Sequence, residues 1–185
     1  MATAPNTTQP KFTDVPTLRA NARQNIDDGA VTKTYPADRD VIIAKLQESL
    51  ATEWVCVLRY TRHYHTATGL VSEPIKKHFL EHAKEEQAHA MMLAERIVQL
   101  GGAPDLNPDN MTKLSHAEYR EGQTLKDMVK EDLIAERIAI DSYRELIDYV
   151  GDRDTTTRKM LMHILEQEEE HADEFSDLLD GWEGE

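Results

Sequence analysis

The chain has 185 residues, which is enough for one domain with a substantial hydrophobic core, and it carries a formal net charge of −14 from 35 acidic and 21 basic residues. Binding to duplex nucleic acid requires many lysines and arginines to neutralise phosphates, so this balance argues against general DNA binding and favours the attraction of cations. The single cysteine, Cys56, excludes an intrachain disulfide and a thiolate metal cluster within one chain.

The same features indicate a compartment. The segment from Met1 to Phe12 lacks the apolar core of a signal peptide, and the sequence contains no apolar run long enough to span a bilayer. A chain with only one cysteine is typical of a reducing environment. We therefore expect a soluble, cytoplasmic protein without a membrane partner.

Residues 1–36 are predicted to form an N-terminal tail with one short helix. Residues 1–13 are rich in Thr, Pro, Asn and Ala and show no periodicity. Asp14 is a suitable N-cap, Pro16 suits a first helical turn, and Gly29 could end the helix. Docking on a neighbouring subunit and weak DNA contact remain alternatives to simple packing for this weakly basic segment.

Four long helices are predicted in a domain of residues 37–181, which is followed by a C-terminal tail of residues 182–185. Apolar residues recur at helical spacing over residues 37–66, 72–100, 124–150 and 155–179. The connection from Gly101 to Gly122, with a short turn near Ser115–Tyr119, is longer than antiparallel neighbours need. It predicts a crossover that makes the second and third long helices parallel, so the fold class is an all-α four-helix bundle.

Two of these helices carry the motif Glu-x-x-His, as Glu86 with His89 and as Glu168 with His171. Residues three apart lie on the same face of a helix, so the carboxylate and the imidazole project together. In both helices the rest of that face is mostly apolar, with His82 and Thr157 as the other polar residues. Two such pairs would form half of a two-metal site in a bundle.

The other two long helices each place one glutamate on an apolar seam, Glu53 and Glu136. A buried carboxylate is costly unless it is paired or bound to metal, so these two residues are the candidates for the remaining ligands. The halves of the chain repeat one another, because Tyr60 follows Glu53 by seven residues and Tyr143 follows Glu136 by seven.

The repeat also selects between neighbouring glutamates. Glu85 and Glu86 could both share a helix face with His89, but the corresponding position four residues before His171 is Gln167, so only the three-residue spacing is common to both motifs. Four carboxylates and two neutral imidazoles suit iron or manganese and would also accept zinc, and carboxylates can bridge two ions. Their charge nearly cancels that of two divalent cations.

With these motifs, the chain resembles the ferritin-like superfamily, in particular bacterioferritins and small ferritins with a bacterioferritin-type di-iron centre. The resemblance covers about residues 38–180 and includes the segments Asp132–Glu136 and Glu168–Asp173. By position it implies two iron ions with two bridging carboxylates. The implied ligands are Glu53 and His89 for one iron, Glu136 and His171 for the other, and Glu86 and Glu168 as bridges.

The resemblance also implies a tyrosine near the centre. Tyr60 occupies that position and could donate an electron, and it is equally consistent with a core tyrosine.

Bacterioferritins bind haem through a methionine directly after the bridging glutamate of the second helix, where this chain has Gln87, and Met91 and Met92 lie a turn further on. Haem bound in that way is therefore not expected. The end of the chain soon after the fourth helix, with its N-terminal extension, favours a cage of twelve subunits over a 24-mer or a dimer.

The function implied is that of a ferroxidase, which oxidises Fe(II) to Fe(III) with O2 or H2O2 and stores the product in a hollow homo-oligomer. Glu81 and Glu85 could help iron to enter or could simply be solvated. A manganese catalase and a di-iron oxygenase are alternatives on the same scaffold. A Dps-type cage that coats DNA is a further alternative, but the ligand set within one chain and the weakly basic tail favour the enzyme.

Overall fold

The computed structural model describes residues 12–24, 26, 29–69 and 71–183, and these belong to two compact units, one ending at Tyr35 and one beginning at Pro36. In the first unit, helix α1 spans Val15–Gln24. Asp14 caps it as predicted, because its Oδ1 accepts a hydrogen bond from the backbone N–H of Thr17 at 2.9 Å. The helix ends before the predicted Gly29, and the prediction for residues 1–11 lies outside the described residues.

The second unit is an all-helical bundle, as predicted. Its helices are α2 (Arg39–Thr66), α3 (Ser72–Gln99), α4 (Pro108–Leu114), α5 (Leu125–Val150) and α6 (Thr155–Glu183). Helix α2 packs chiefly on α3, and α5 packs chiefly on α6, so the four long helices form two hairpins. None of the helices in the described ranges is both long and apolar enough to cross a bilayer.

The sequence sets the helix ends through local hydrogen bonds. Asp38 accepts a bond from the backbone N–H of Val41 and caps α2, while Thr124 and Asp127 form a reciprocal capping box at the start of α5. After α3, Gly101 adopts a positive φ of 84°, which glycine reaches without the steric cost of a Cβ atom.

The long crossover makes α3 and α5 parallel. One core cluster contains Phe79 and Val129, which lie in the N-terminal halves of α3 and α5. It also contains Tyr60 and Phe175, which lie in the C-terminal halves of α2 and α6. The N-terminal halves of α3 and α5 are therefore at the same end of the bundle. The crossover bends at His116 and Ala117, within the predicted turn at Ser115–Tyr119, but it also contains a short helix that the sequence analysis did not predict. Helix α4 lies earlier because Pro108 suits a first turn and the Asn107 side chain accepts from the backbone of Asp109.

Helix α6 continues past the predicted end at residue 179. Leu178, Leu179 and Trp182 pack against the same core cluster, so the additional turn buries apolar surface. At the other end of the bundle Leu46, Leu50 and Leu93 are fully buried. The ionisable residues of the apolar seams lie between these two apolar regions.

Candidate metal centre

The six predicted ligands lie at one level of the bundle, and all are at most 3% exposed. Each of the four long helices contributes its residues from an inward-facing seam: one glutamate from α2, one from α5, and a Glu-x-x-His pair from each of α3 and α6. The ligands are Glu53, Glu86, His89, Glu136, Glu168 and His171.

Their ligating atoms form two sets, each within 4.8 Å, that share Glu86 and Glu168. The first set adds Glu53 and His89, and the Nδ1 atom of His89 lies 2.9 Å from a Glu168 oxygen and 3.4 Å from a Glu53 oxygen. The second set adds Glu136 and His171. The structure therefore brings all six residues together, with two carboxylates between two imidazoles.

Most of these side chains have one buried atom without a hydrogen-bond partner. Among the described residues, five of the six ligands present a buried atom that makes no hydrogen bond, namely Glu53 Oε2, Glu86 Oε1, His89 Nδ1, Glu168 Oε1 and His171 Nδ1. Buried polar atoms in folded proteins almost always have partners. Cations among these oxygens and nitrogens would satisfy them, so the donor set fits a dinuclear metal centre.

Each imidazole is held from outside by its second nitrogen. The Nε2 atom of His89 lies 3.0 Å from the amide oxygen of Gln167, and Nε2 of His171 lies 2.8 Å from a carboxylate oxygen of Glu85. Both oxygens accept, so Nε2 carries a hydrogen in each ring, and Nδ1 faces the carboxylates, where its lone pair could bind a cation once the ring loses its second proton. This arrangement is usual for metal-binding histidines.

Two buried tyrosines donate to the lone glutamates across the bundle. Tyr60 of α2 donates to Glu136 of α5, and Tyr143 of α5 donates to Glu53 of α2. Burial and the charge of Glu53 raise the pKa of Tyr143 well above its ordinary value, so this hydroxyl keeps its proton. The sequence prediction included only Tyr60 in the site, although the repeat already marked Tyr143.

The metal-free centre retains protons. Burial and repulsion by Glu86 raise the pKa values of Glu53 and Glu168 well above the ordinary value. Burial opposes a charge on Glu86, but close contacts with Glu53 and His171 outweigh burial and lower the pKa of Glu86. Burial likewise opposes protonation of His171, but contacts with carboxylates raise its pKa to about 12. Incoming cations would displace these protons.

A second buried polar network lies next to the centre, and sequence reasoning did not identify it. Arg59 donates from Nε to Asp132 at 2.7 Å, and His63 Nδ1 lies 2.8 Å from the other oxygen of Asp132. All three side chains are at most 1% exposed. The available signal was Asp132 itself, an ionisable residue on the seam one turn before Glu136. The network joins α2 to α5.

A surface cavity of about 260 Å³ opens beside the centre. Its lining includes Glu81 and Glu85, the two residues that sequence analysis proposed for iron entry, together with Gln167 and His171. Because Gln167 and Glu85 are the outer partners of the two histidines, the imidazole rings separate this cavity from the carboxylates.

Comparison with known proteins finds a matching family and several similar sequences. A model of the ferritin-like domain matches residues 43–184. The chain is 31% identical over 149 residues to the DNA protection during starvation protein of Pyrococcus furiosus, covering 78% of this chain and 80% of the relative. It is 30% identical over 142 residues to the bacterioferritin of Brucella melitensis, covering 75% and 83%.

A solved structure agrees with these relatives. The dodecameric thioferritin of Bacteroides fragilis, a bacterioferritin-related protein, is 30% identical with a TM-score of 0.76, covering 79% of this chain and 88% of that one. The family match over residues 43–184 includes all six residues of the candidate centre. The chain therefore belongs to the ferritin-like family, with bacterioferritins and Dps proteins among its homologues.

Proposed function

We propose that this protein is a ferroxidase, which oxidises Fe(II) to Fe(III) with O2 or H2O2 at the centre within each chain and stores the ferric product in a hollow homo-oligomer. The observation that carries the proposal is the convergence of six buried ligands, five of them with an unpartnered atom, on two overlapping sites. A cluster of four buried carboxylates would be unstable without cations to neutralise it.

The overlap of the two sets supports the ligand roles. We assign Glu86 and Glu168 as bridges because they occur in both sets. One carboxylate and one imidazole then remain for each ion. These pairs are Glu53 with His89, and Glu136 with His171.

The residues of the chain bind and orient the substrate ions. Bound iron supplies one electron per ion to the oxidant. The carboxylates neutralise the ions, the outer contacts of Gln167 and Glu85 fix the imidazoles, and the tyrosine hydroxyls hold Glu53 and Glu136 in place. Tyr60 is also a candidate for an additional electron donor, because its hydroxyl contacts a ligand.

The homologues support a homo-oligomer, and the dodecameric thioferritin favours twelve subunits. Analytical ultracentrifugation of the native protein tests this directly. A species near twelve times 21.1 kDa is expected, whereas a 24-mer or a dimer would contradict it. We further infer a cytoplasmic location.

Anaerobic Fe(II) titration followed by exposure to O2 or H2O2, with ferric absorbance as the readout, tests the activity. We expect rapid oxidation with a break near two Fe(II) per chain, and loss of that phase in Glu168→Ala because both sites lose a ligand. Glu166→Ala is the control, since this exposed glutamate lies on the same helix. Wild-type rates in Glu168→Ala would contradict the proposal. Peroxide disproportionation with Mn(II) and no iron oxidation would favour a manganese catalase.

A DNA-protecting cage is the second candidate, because one homologue is a DNA protection during starvation protein. The charge of −14 argues against it. Gel retardation at low salt tests it: retardation of duplex DNA by the full chain would support this function, and free migration would exclude it under those conditions.

A further inference from the structure

The clearest ionisable cluster outside the proposed dinuclear centre joins α3 to α6 beside the surface cavity. His78 and His82 lie one turn apart on α3 and so share a face. The Nδ1 atom of His78 and the Nε2 atom of His82 each lie 3.0 Å from the same carboxylate oxygen, Oε2 of Glu174. These ligating atoms all lie within 4.8 Å of one another.

From this cluster we propose a third cation site, in which His78, His82 and Glu174 bind a divalent transition-metal ion such as Fe(II), Co(II) or Zn(II). Two imidazoles and one carboxylate form a ligand set that such ions accept in proteins, and three protein ligands leave a coordination position open. The side chains of His78 and Glu174 are 36% and 40% exposed, so an ion could reach them from solvent.

The buried member of the cluster has a nitrogen that the protein leaves unsatisfied. His82 is only 3% exposed, and its other nitrogen, Nδ1, makes no hydrogen bond with any described residue. A buried imidazole that serves only for packing would normally have both nitrogens satisfied. Ring stacking also joins it to the centre, because its centroid lies 4.0 Å from that of His171.

His82 belongs to two overlapping ligand sets. Besides the set with His78 and Glu174, it forms a set with Glu85 and His171 whose ligating atoms also lie within 4.8 Å of one another. A continuous series of metal-ligating groups therefore leads from the exposed cluster to the dinuclear centre. The cavity along this series is lined by four glutamates, whose negative potential would concentrate cations: Glu81, Glu85, Glu170 and Glu174.

The internal repeat provides a control within the molecule. Counted from the bridging glutamates, the positions of His78, His82 and Glu174 correspond in the other half to Met160, Ile164 and Met92. One set of these equivalent positions therefore has apolar side chains, and the other set has two histidines and a glutamate. Helix packing alone does not require the ionisable residues, and the repeat does not generate them.

We assign this site the role of receiving a cation from solvent and delivering it to the centre, a role that rests on the proposed function. The binding site itself does not depend on oxidation. Its test is therefore an anaerobic Co(II) titration of the full chain in its native assembly, followed by calorimetry and visible absorption. His78→Ala and Glu174→Gln are each expected to bind one Co(II) fewer per chain than wild type.

Two further variants separate the sites. His163→Ala removes an exposed histidine of α6 that lies eleven residues before Glu174 and belongs to none of the ligand sets, and this variant should bind as many ions as wild type. Glu168→Ala should no longer bind the two ions of the dinuclear centre. It should still bind the one Co(II) ion that His78→Ala does not bind. Wild-type Co(II) stoichiometry and spectrum in both His78→Ala and Glu174→Gln would overturn the proposal.

The outcome stays distinct from that of the ferroxidase proposal. Loss of one Co(II) in His78→Ala would support the third site even if wild type failed to oxidise iron, which would overturn only the proposed function. If both hold, His78→Ala should slow the initial oxidation rate severalfold at low Fe(II) while the break near two Fe(II) per chain persists. An unchanged rate at low Fe(II) would overturn the delivery role.

Discussion

The two helical hairpins supply matching candidate metal ligands in different surroundings. Each hairpin gives one glutamate and one Glu-x-x-His, and the tyrosine of each donates to the lone glutamate of the other. The outer partners of the histidines differ, because His89 contacts the neutral Gln167 whereas His171 contacts the carboxylate of Glu85. The candidate ligands follow the repeat, whereas their different surroundings would make two bound ions chemically unequal.

The buried ion pairs between α2 and α5 have no counterpart at the equivalent positions of the repeat. Arg59 and His63 of α2 bind Asp132 of α5 in the buried interior. Counted from the lone glutamates, the positions corresponding to Arg59, His63 and Asp132 are Ser142, Leu146 and Ser49. No reciprocal ion pair can form from these residues. A different buried network joins α3 to the start of α6, where Arg96 donates to Asp154 and Thr157.

The largest expected effect comes from breaking the network of Arg59, His63 and Asp132. Asp132→Asn would leave the Arg59 guanidinium buried without its counter-ion, and we expect a loss of about 3–5 kcal/mol in the free energy of unfolding per chain. Chemical denaturation of the metal-free protein measures it. The control is Ser49→Ala at the corresponding position, with a change below about 1 kcal/mol. Equal effects of the two variants would show that the hairpins are not joined asymmetrically.

A smaller effect is expected when the outer hydrogen-bond partners of His89 and His171 are made alike. A carboxylate that accepts from Nε2 makes the imidazole a stronger ligand, so Glu85→Gln should weaken the ion held by His171 on the order of tenfold. Stepwise Zn(II) titration by calorimetry measures this, with Glu81→Gln as a control on the same cavity. Gln167→Glu should strengthen the ion held by His89. Unchanged affinities in both variants would mean that the two half-sites are equivalent.

The smallest effect distinguishes the two tyrosines. If Tyr60 donates an electron in addition to its hydrogen bond, Tyr60→Phe should slow iron oxidation severalfold beyond Tyr143→Phe, which loses an equivalent hydrogen bond to a ligand. Stopped-flow absorbance after mixing with oxidant measures both rates, and Fe(II) binding checks that each centre remains intact. Identical rates would restrict Tyr60 to positioning Glu136.

Sequence reasoning predicted the long helices and the inward positions of Glu53, Glu86, His89, Glu136, Glu168 and His171. It succeeded because helical periodicity and the three-residue spacing are local properties, readable within each segment. It did not predict the short helix of the crossover, and it ended α6 too early. The end of α6 depends on Trp182 packing against a core assembled from other helices.

The sequence by itself therefore determined the helix seams, the repeat and the identity of the candidate ligands. Only the tertiary structure decided which groups meet across helices: Arg59 and Asp132 are separated by 73 residues, and His78 and Glu174 by 96. Each of these partners alone resembles an ordinary polar residue of a helix face. Their pairing depends on which faces the packed hairpins present to one another, and no local pattern encodes that geometry.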